Sequence, residues 1–470
     1  MNPTVCQLIV RILDPACRSP LPGAGEVGAD RRYGESGPGE GSHVVNLRIS
    51  FKTIGCRLNQ AETARMSAVC GAAGYETVPF GEACEVAVIH GCAVTQKAES
   101  DSLRAVRQVL SRDGNPLVLL AGCAAAYPLL KWPEQPSFMR LAEQADKFRI
   151  PAVLHQMDPL RYPPPSETAT ESPQFETVRA SVEIQDGCDF RCAYCVVPMT
   201  RGAPRSRAPG EILDEVRRIT NRGYGEIILC GANLGSYRSN EIDLAGLLER
   251  ILAVDRIGRI RLGSIEVSTV ERAVVDVMVA HQAICRFLHL PLQSGSDRIL
   301  QSMGRRYTAT EYRRAAEYAA ERLPGIGLGA DVITGFPGET DADFQETVRL
   351  VEQLPFSNLH IFPYSPRAGT RAFEMKNRVP ARIAGERAAI LRRLGETQRN
   401  AFAQEWIGRP VEVLVESIDL SGEAQGWTGE YLPASIHQVG LKVNTRVTVI
   451  PGQAEGCRLV ASGNKKDGDI

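Results

Sequence analysis

Short β-branched or apolar runs alternate with stretches of helix length from Asn46 to Pro363, and this alternation does most to limit the fold. The first runs, at 47–53, 86–90 and 117–121, flank helical stretches such as 98–110, and strands linked through helices pair in parallel. A second series holds six candidate strands, at 180–184, 226–229, 259–262, 286–290, 326–334 and 358–363, with helical stretches such as 209–221 and 309–322 between them. Six βα units suit an incomplete barrel whose chemistry lies at the strand carboxyl ends. After Trp406 come short alternating runs, 411–415 and 446–450, with turn residues such as Pro451-Gly452, as in a small β-barrel.

The expected fold is therefore α/β in three parts: a parallel α/β domain over 46–161, an incomplete (βα)6 barrel over 179–400, and a small carboxyl-terminal β-barrel over 405–470. Residues 162–178 are rich in Pro, Ser and Thr and read as a linker. Residues 1–45 show no periodicity and read as a disordered extension, consistent with a natural start near Val44 or Val45. No apolar run reaches the length of a membrane span, so a cytoplasmic location with no membrane partner is expected.

Such a location keeps thiols reduced, which makes the grouped members of the chain's thirteen cysteines metal ligands rather than disulfides. Cys188, Cys192 and Cys195 stand at C-x₃-C-x₂-C immediately after a candidate strand, so one loop can hold three irons of a cubane and leave the fourth open. Structural zinc is the rival reading; it requires a fourth Cys or His, and the next cysteine, Cys230, belongs to a different strand end. Cys56, Cys92 and Cys123 each follow a strand of the first series, at the edge where parallel sheets bind ligands, though buried cysteine is the plain alternative. At later strand ends stand Gly231, Asn233, Glu266, Gln293, Ser294 and Asp331, aimed at the barrel mouth.

The string Gln185-Asp-Gly-Cys188-Asp-Phe-Arg-Cys192-Ala-Tyr194-Cys195 resembles the signature of the radical S-adenosylmethionine superfamily. That resemblance implies a [4Fe–4S] cluster whose open iron chelates S-adenosylmethionine (SAM), reductive cleavage to a 5′-deoxyadenosyl radical, and an adenine-bordering role for Tyr194, which otherwise reads as a core aromatic. The six polar or glycine positions above would then line the cosubstrate pocket. Gly55-Cys-Arg-Leu-Asn-Gln60, Gly91-Cys-Ala-Val-Thr95 and Ala121-Gly-Cys123 are similar to the amino-terminal domain of the methylthiotransferases. This implies a second [4Fe–4S] cluster on Cys56, Cys92 and Cys123, one SAM as methyl donor and another as radical source, a flavodoxin- or ferredoxin-type electron donor, and a sulfur donor left open.

Ala232-Asn-Leu-Gly-Ser-Tyr237, Gly263-Ser-Ile-Glu266, His289-Leu-Pro-Leu-Gln-Ser-Gly-Ser296 and Phe362-Pro-Tyr-Ser-Pro-Arg-Ala-Gly-Thr370 resemble the branch acting on threonylcarbamoyladenosine in tRNA. Val267 stands where that branch has proline, and Arg57-Leu58 replace a Lys-Val pair. The implied reaction is transfer of a methylthio group to C2 of N6-threonylcarbamoyladenosine 37 in the anticodon loop. The alternatives are isopentenyladenosine 37 or a ribosomal protein as target, and a non-catalytic iron–sulfur RNA-binding protein.

Charge gives RNA little help, because the formal net charge is -1 and phosphate binding demands cations. The most basic stretch, 371–399, carries eight Lys or Arg against three Glu, whereas the chain from Glu405 onward has six against nine acids. Phosphate contacts are therefore expected from Arg387, Arg392 and Arg393 and from Arg201, Arg205 and Arg207, with base stacking by Trp427 and Tyr431.

Overall fold

The computed structural model describes residues 47–165, 173, 175 and 177–462. The expected amino-terminal extension and most of the linker lie outside these residues.

The first sheet has five parallel strands: β1 (Arg48–Thr53), β2 (Glu76–Val78), β3 (Val86–Gly91), β4 (Leu117–Gly122) and β5 (Phe138–Arg140), in the order β2-β1-β3-β4-β5. The central strands β3 and β4 are buried at every residue, as their unbroken apolar runs require. Sheet order brings β1, β3 and β4 side by side, so the three thiols that follow them emerge along one edge. The two short strands, β2 and β5, carry no sequence pattern strong enough to read.

The second sheet begins with β6 (Arg179–Asp186), which pairs antiparallel with the two-residue β7 (Arg205–Ser206) and parallel with β8 (Glu226–Gly231). A small hairpin, β9 (Arg238–Ser239) and β10 (Ile242–Asp243), precedes β11 (Arg259–Leu262), β12 (Phe287–His289), β13 (Gly327–Thr334) and β14 (Phe356–Pro363). The six long strands follow one another in parallel, and bridges at Ile260–Ile284 and Ser264–His289 join the β11 side to the β12 side. Among the described residues no pairing connects β14 back to β6, so the barrel is open. The helices Pro209–Asn221 and Ala309–Arg322 occupy the stretches read from periodicity, the latter started by a Thr308/Glu311 capping box. Strand β12 is shorter than the stretch 286–290, although Leu290 N still bonds to Gly329 O of β13.

The carboxyl-terminal part is a curled six-stranded sheet: β15 (Val411–Ile418), β16 (Ala424–Thr428), β17 (Pro433–His437), β18 (Arg446–Val449), β19 (Gln453–Glu455) and β20 (Arg458–Ser462), in the order β18-β15-β16-β17-β20-β19. All its pairs are antiparallel except β17 with β20. Arg259 and Arg261 of β11 dock it, donating to the carbonyls of Trp427, Thr428 and Gly429 while Glu226 of β8 holds both guanidinium groups. Among the described residues no helix is long and apolar enough to cross a membrane.

Candidate active site

Strand β6, buried at all eight residues, delivers the first cysteine loop to the barrel mouth. Gly187 turns the chain there with φ +72°; a Cβ would lie 2.1 Å from Ala203 O, so only glycine fits. Cys188 N then donates to Gly202 O at 3.0 Å, closing the loop on itself. Each of the three sulfurs accepts one N–H: Cys188 from Phe190 N at 3.4 Å, Cys195 from Val197 N at 3.4 Å, and Cys192 from Arg305 Nη1 at 3.3 Å. Burial, which disfavours the thiolate, pushes Cys195 up to about 12 and raises Cys188 as well. A bound metal would overcome that penalty by ionising the thiols, and the N–H donors are placed to receive the charge.

Around this loop stand the residues read from sequence as cosubstrate contacts. Tyr194 is half-buried, edge-on to Phe336 with centroids 6.4 Å apart, and its hydroxyl accepts from Arg305 at 3.4 Å. Arg305 also pairs with Glu266. Two polar atoms here are buried and unpaired among the described residues, Glu266 Oε1 and Asn233 Nδ2. Asn233 Oδ1 accepts from Glu266 N at 3.4 Å, so an orphan acceptor and an orphan donor sit on neighbouring residues. Such orphans cost about 1–3 kcal/mol each unless a ligand meets them, and a molecule bearing amine, carboxylate and ribose hydroxyls meets both. Gly231 belongs here too, since a Cβ on it would lie 2.8 Å from Gln185 O.

The other expected pocket residues behave differently. Ser294 is spent on the structure, its hydroxyl lying 3.3 Å from Thr347 Oγ1 and accepting from Ser296 N at 3.2 Å. Gln293 holds a left-handed backbone (φ +65°) and bonds to β13 through its main chain, its N donating to Asp331 O at 2.7 Å. The Asp331 carboxylate lies between His289 Nε2 and His360 Nδ1, both at 3.2 Å. Burial would raise Asp331, but the two imidazoles hold it well below the usual carboxylate range.

The second set of thiols sits at the carboxyl ends of β1, β3 and β4, as the strand pattern implies. Cys56 is exposed at the N-cap of the helix Arg57–Ala72, and Gly55 (φ +120°) approaches so closely that a Cβ would lie 2.8 Å from Cys92 Cβ. Cys92 is buried and pushed up to about 12, by burial first and by the neighbouring Cys123 thiol next. Cys123 opens a short helix after Gly122, whose Cβ would strike the His90 ring. In neither set do the three sulfurs all fall within 4.8 Å of one another among the described residues.

A buried ionic cluster joins the two sets, and sequence reasoning missed it. Glu62, from the helix that Cys56 caps, pairs with Lys147 at 2.7 Å, His90 at 3.1 Å and Arg201 at 2.7 Å. Arg201 also pairs with Asp186 at 2.7 Å and donates through Nε to Cys123 Sγ at 3.1 Å. Lone polar residues in separate helices and strands give no local signal for such an arrangement.

Two family models match the chain: the Radical SAM superfamily over residues 182–351 and "uncharacterized protein family UPF0004" over 48–135. Each of the two spans one cysteine set. A threonylcarbamoyladenosine tRNA methylthiotransferase MtaB of Aquifex aeolicus is 32% identical over 392 residues, covering 78% of this chain and 93% of that protein. The corresponding protein of Thermotoga maritima is 33% identical, covering 82% and 90%. The chain belongs to the radical SAM methylthiotransferase family. Its cofactors are two [4Fe–4S] clusters and SAM. A third relative, the tRNA-2-methylthio-N(6)-dimethylallyladenosine synthase of Moorella thermoacetica, is 34% identical over 79% and 88% of the two chains. The fold resembles that of the radical S-adenosylmethionine methyltransferase TsrM from Kitasatospora setae, with TM-score 0.51 at 13% identity, covering 70% of this chain and 77% of that one.

For this methylthiotransferase the expected RNA contacts need correction. Arg387 is buried and donates to Glu339 and Asp341 at 2.6 Å each, so it offers no charge to a phosphate. Arg201 is 3% exposed and faces Cys123. Arg207 is held by Glu215 and by Glu183 O, both at 2.7 Å. Arg205, Arg392 and Arg393 remain exposed. Trp427 and Tyr431 stack on each other at 4.9 Å, with Tyr431 also against Phe287 at 4.8 Å and Arg179 and Arg261 over the two rings. Their faces are already engaged in docking the last sheet to the barrel.

Proposed function

We propose that this methylthiotransferase acts on tRNA and adds its methylthio group to C2 of N6-threonylcarbamoyladenosine 37. In this reading Cys188, Cys192 and Cys195 hold the SAM-binding cluster, Cys56, Cys92 and Cys123 hold the second, and Asn233, Glu266 and Tyr194 contact SAM. The bound cofactors would supply a 5′-deoxyadenosyl radical and the methyl group to be transferred, the sulfur donor being left open. The chain's own residues orient the base, exclude water and hold SAM against the open iron. A flavodoxin- or ferredoxin-type protein would deliver the electron.

The choice of base rests on the His289–Asp331–His360 cluster. These side chains line successive strands β12, β13 and β14, with Asp331 in register with His360 and Asn358 Nδ2 3.3 Å from His360 Nε2. His360 is half exposed, so the polar row is open to a ligand. A threonylcarbamoyl group carries a carboxylate, a hydroxyl and urea N–H groups that such a row can pair. A dimethylallyl group offers no partner to this row, which favours the threonylcarbamoyl substituent.

Nucleoside mass spectrometry of tRNA from a deletion strain tests the reading. Loss of the methylthio form of threonylcarbamoyladenosine alone is expected. Its persistence, with loss of the methylthio form of isopentenyladenosine, would assign the enzyme to the other base.

A further inference from the structure

Among the described residues Arg201 is unusual in having every donor engaged. Its five N–H donors meet five acceptors: Cys123 Sγ at 3.1 Å from Nε, Glu62 Oε1 and Asp186 Oδ1 at 2.7 Å from Nη1, and Asn59 Oδ1 at 2.8 Å and Glu62 Oε2 at 3.1 Å from Nη2. It is carried by the helix Val197–Arg201, directly after the Cys188–Cys195 loop, yet every side-chain acceptor except Asp186 comes from the amino-terminal domain. Glu62 and Asp186 pair with Arg201, and Lys147 and Arg205 share those carboxylates. What it contributes is a directed N–H. A neutral thiol is a weak acceptor, whereas a metal-bound thiolate takes a guanidinium N–H strongly.

We propose that Arg201 is a positioning residue that couples the two metal sites, anchored beside the first cysteine loop and holding the Cys123 thiolate of the second cluster. The proposal rests on Cys56, Cys92 and Cys123 holding that cluster. An N–H bond to a cluster sulfur favours the reduced, more negative state and so raises the reduction potential. Because Arg201 directly follows the first loop, a displacement of that loop would alter the contact from Nε to Cys123 and with it the potential of the second site. Arg305 makes the matching bond to Cys192 from within the barrel, so each set has one arginine on one sulfur.

The test uses the full chain with Cys188→Ala, Cys192→Ala and Cys195→Ala, reconstituted anaerobically so that only the second site reports. Iron near four per chain in this parent establishes the underlying site; its absence would overturn both the site and the proposal. Arg201→Met is then introduced and the midpoint potential and paramagnetic spectrum are followed in a redox titration. The expected result is retained iron, an altered spectrum and a potential lowered by a tenfold shift in the oxidised/reduced ratio, about 59 mV for one electron. Retained iron with unchanged potential and spectrum would show Arg201 to be structural only. Should the Met variant fail to fold, Arg201→Lys, which keeps the charge beside Glu62 but lacks the planar Nε–H, is expected to give the same lowering, and an unshifted potential there would overturn the proposal.

Discussion

Gly55 shows how one residue fixes the geometry of a cluster seat. Its φ is +120°, and a side-chain Cβ at this position would stand only 2.8 Å from Cys92 Cβ, so Gly55→Ala must displace Cys92 or the turn, at a cost of about 1–3 kcal/mol. The expected outcome is loss of most second-site iron with the first site still loaded, measured as iron per chain. At the SAM pocket, Asn233→Ala removes the orphan donor, and SAM affinity measured by calorimetry is expected to fall about tenfold, or ~1.4 kcal/mol; unchanged affinity would remove Asn233 from the pocket. The placement of the six cysteines was legible because its signal is local: a spacing within one loop, or a position one to three residues past a strand. Arg201, Glu62, Arg305 and His360 were not, because their meaning comes from partners far along the chain, 139 residues apart for Arg201 and Glu62. Arg201 and Arg387 were misread for the same reason, since sequence shows a positive charge but not the carboxylates that bury it.

Elements are more legible in the sequence than the packing between them. The helix Pro209–Asn221 and strand β11 emerge from periodicity alone, while the two-residue strands and β5 exist only through their neighbours. The helix Ala381–Gln404 carries both a paired and an exposed set of arginines, which separates two effects. Arg392→Ala with Arg393→Ala is expected to weaken tRNA binding and reduce the salt slope by up to ~2, one for each phosphate no longer neutralised. Arg387→Ala is expected instead to lower the melting temperature and leave the salt slope unchanged, because it strands Glu339 in the interior. The docking of the last sheet has a pH signature. Burial alone would raise Glu226, but Arg261 and Arg259 bring it down to about 2 from 4.5. Its contribution is thus complete above pH ~4.5 and is lost as the pH falls toward 2. Glu226→Gln is expected to cost about 3–5 kcal/mol by leaving two buried guanidinium groups underpaired, and to flatten the acid limb of thermal stability over that interval.

Across the whole molecule, two parallel sheets meet so that the carboxyl edge of one lies beside the mouth of the other. The helix that Cys56 caps packs on β6, its Arg65 reaching Glu183 at 2.5 Å, and the buried Glu62–Arg201–Asp186 cluster closes the seam. Nothing in the linear pattern fixes this docking, since it depends on charges contributed from both sides and satisfied only when the two meet. It is what makes one machine of two cysteine sets. The central claim is therefore that this chain loads two separate clusters, one on each triad. Iron per chain after anaerobic reconstitution tests it: about eight for the natural protein, and about four for either the Cys188/Cys192/Cys195→Ala or the Cys56/Cys92/Cys123→Ala protein. Four irons in the natural protein, or none in one of the two variants that still folds, would contradict it.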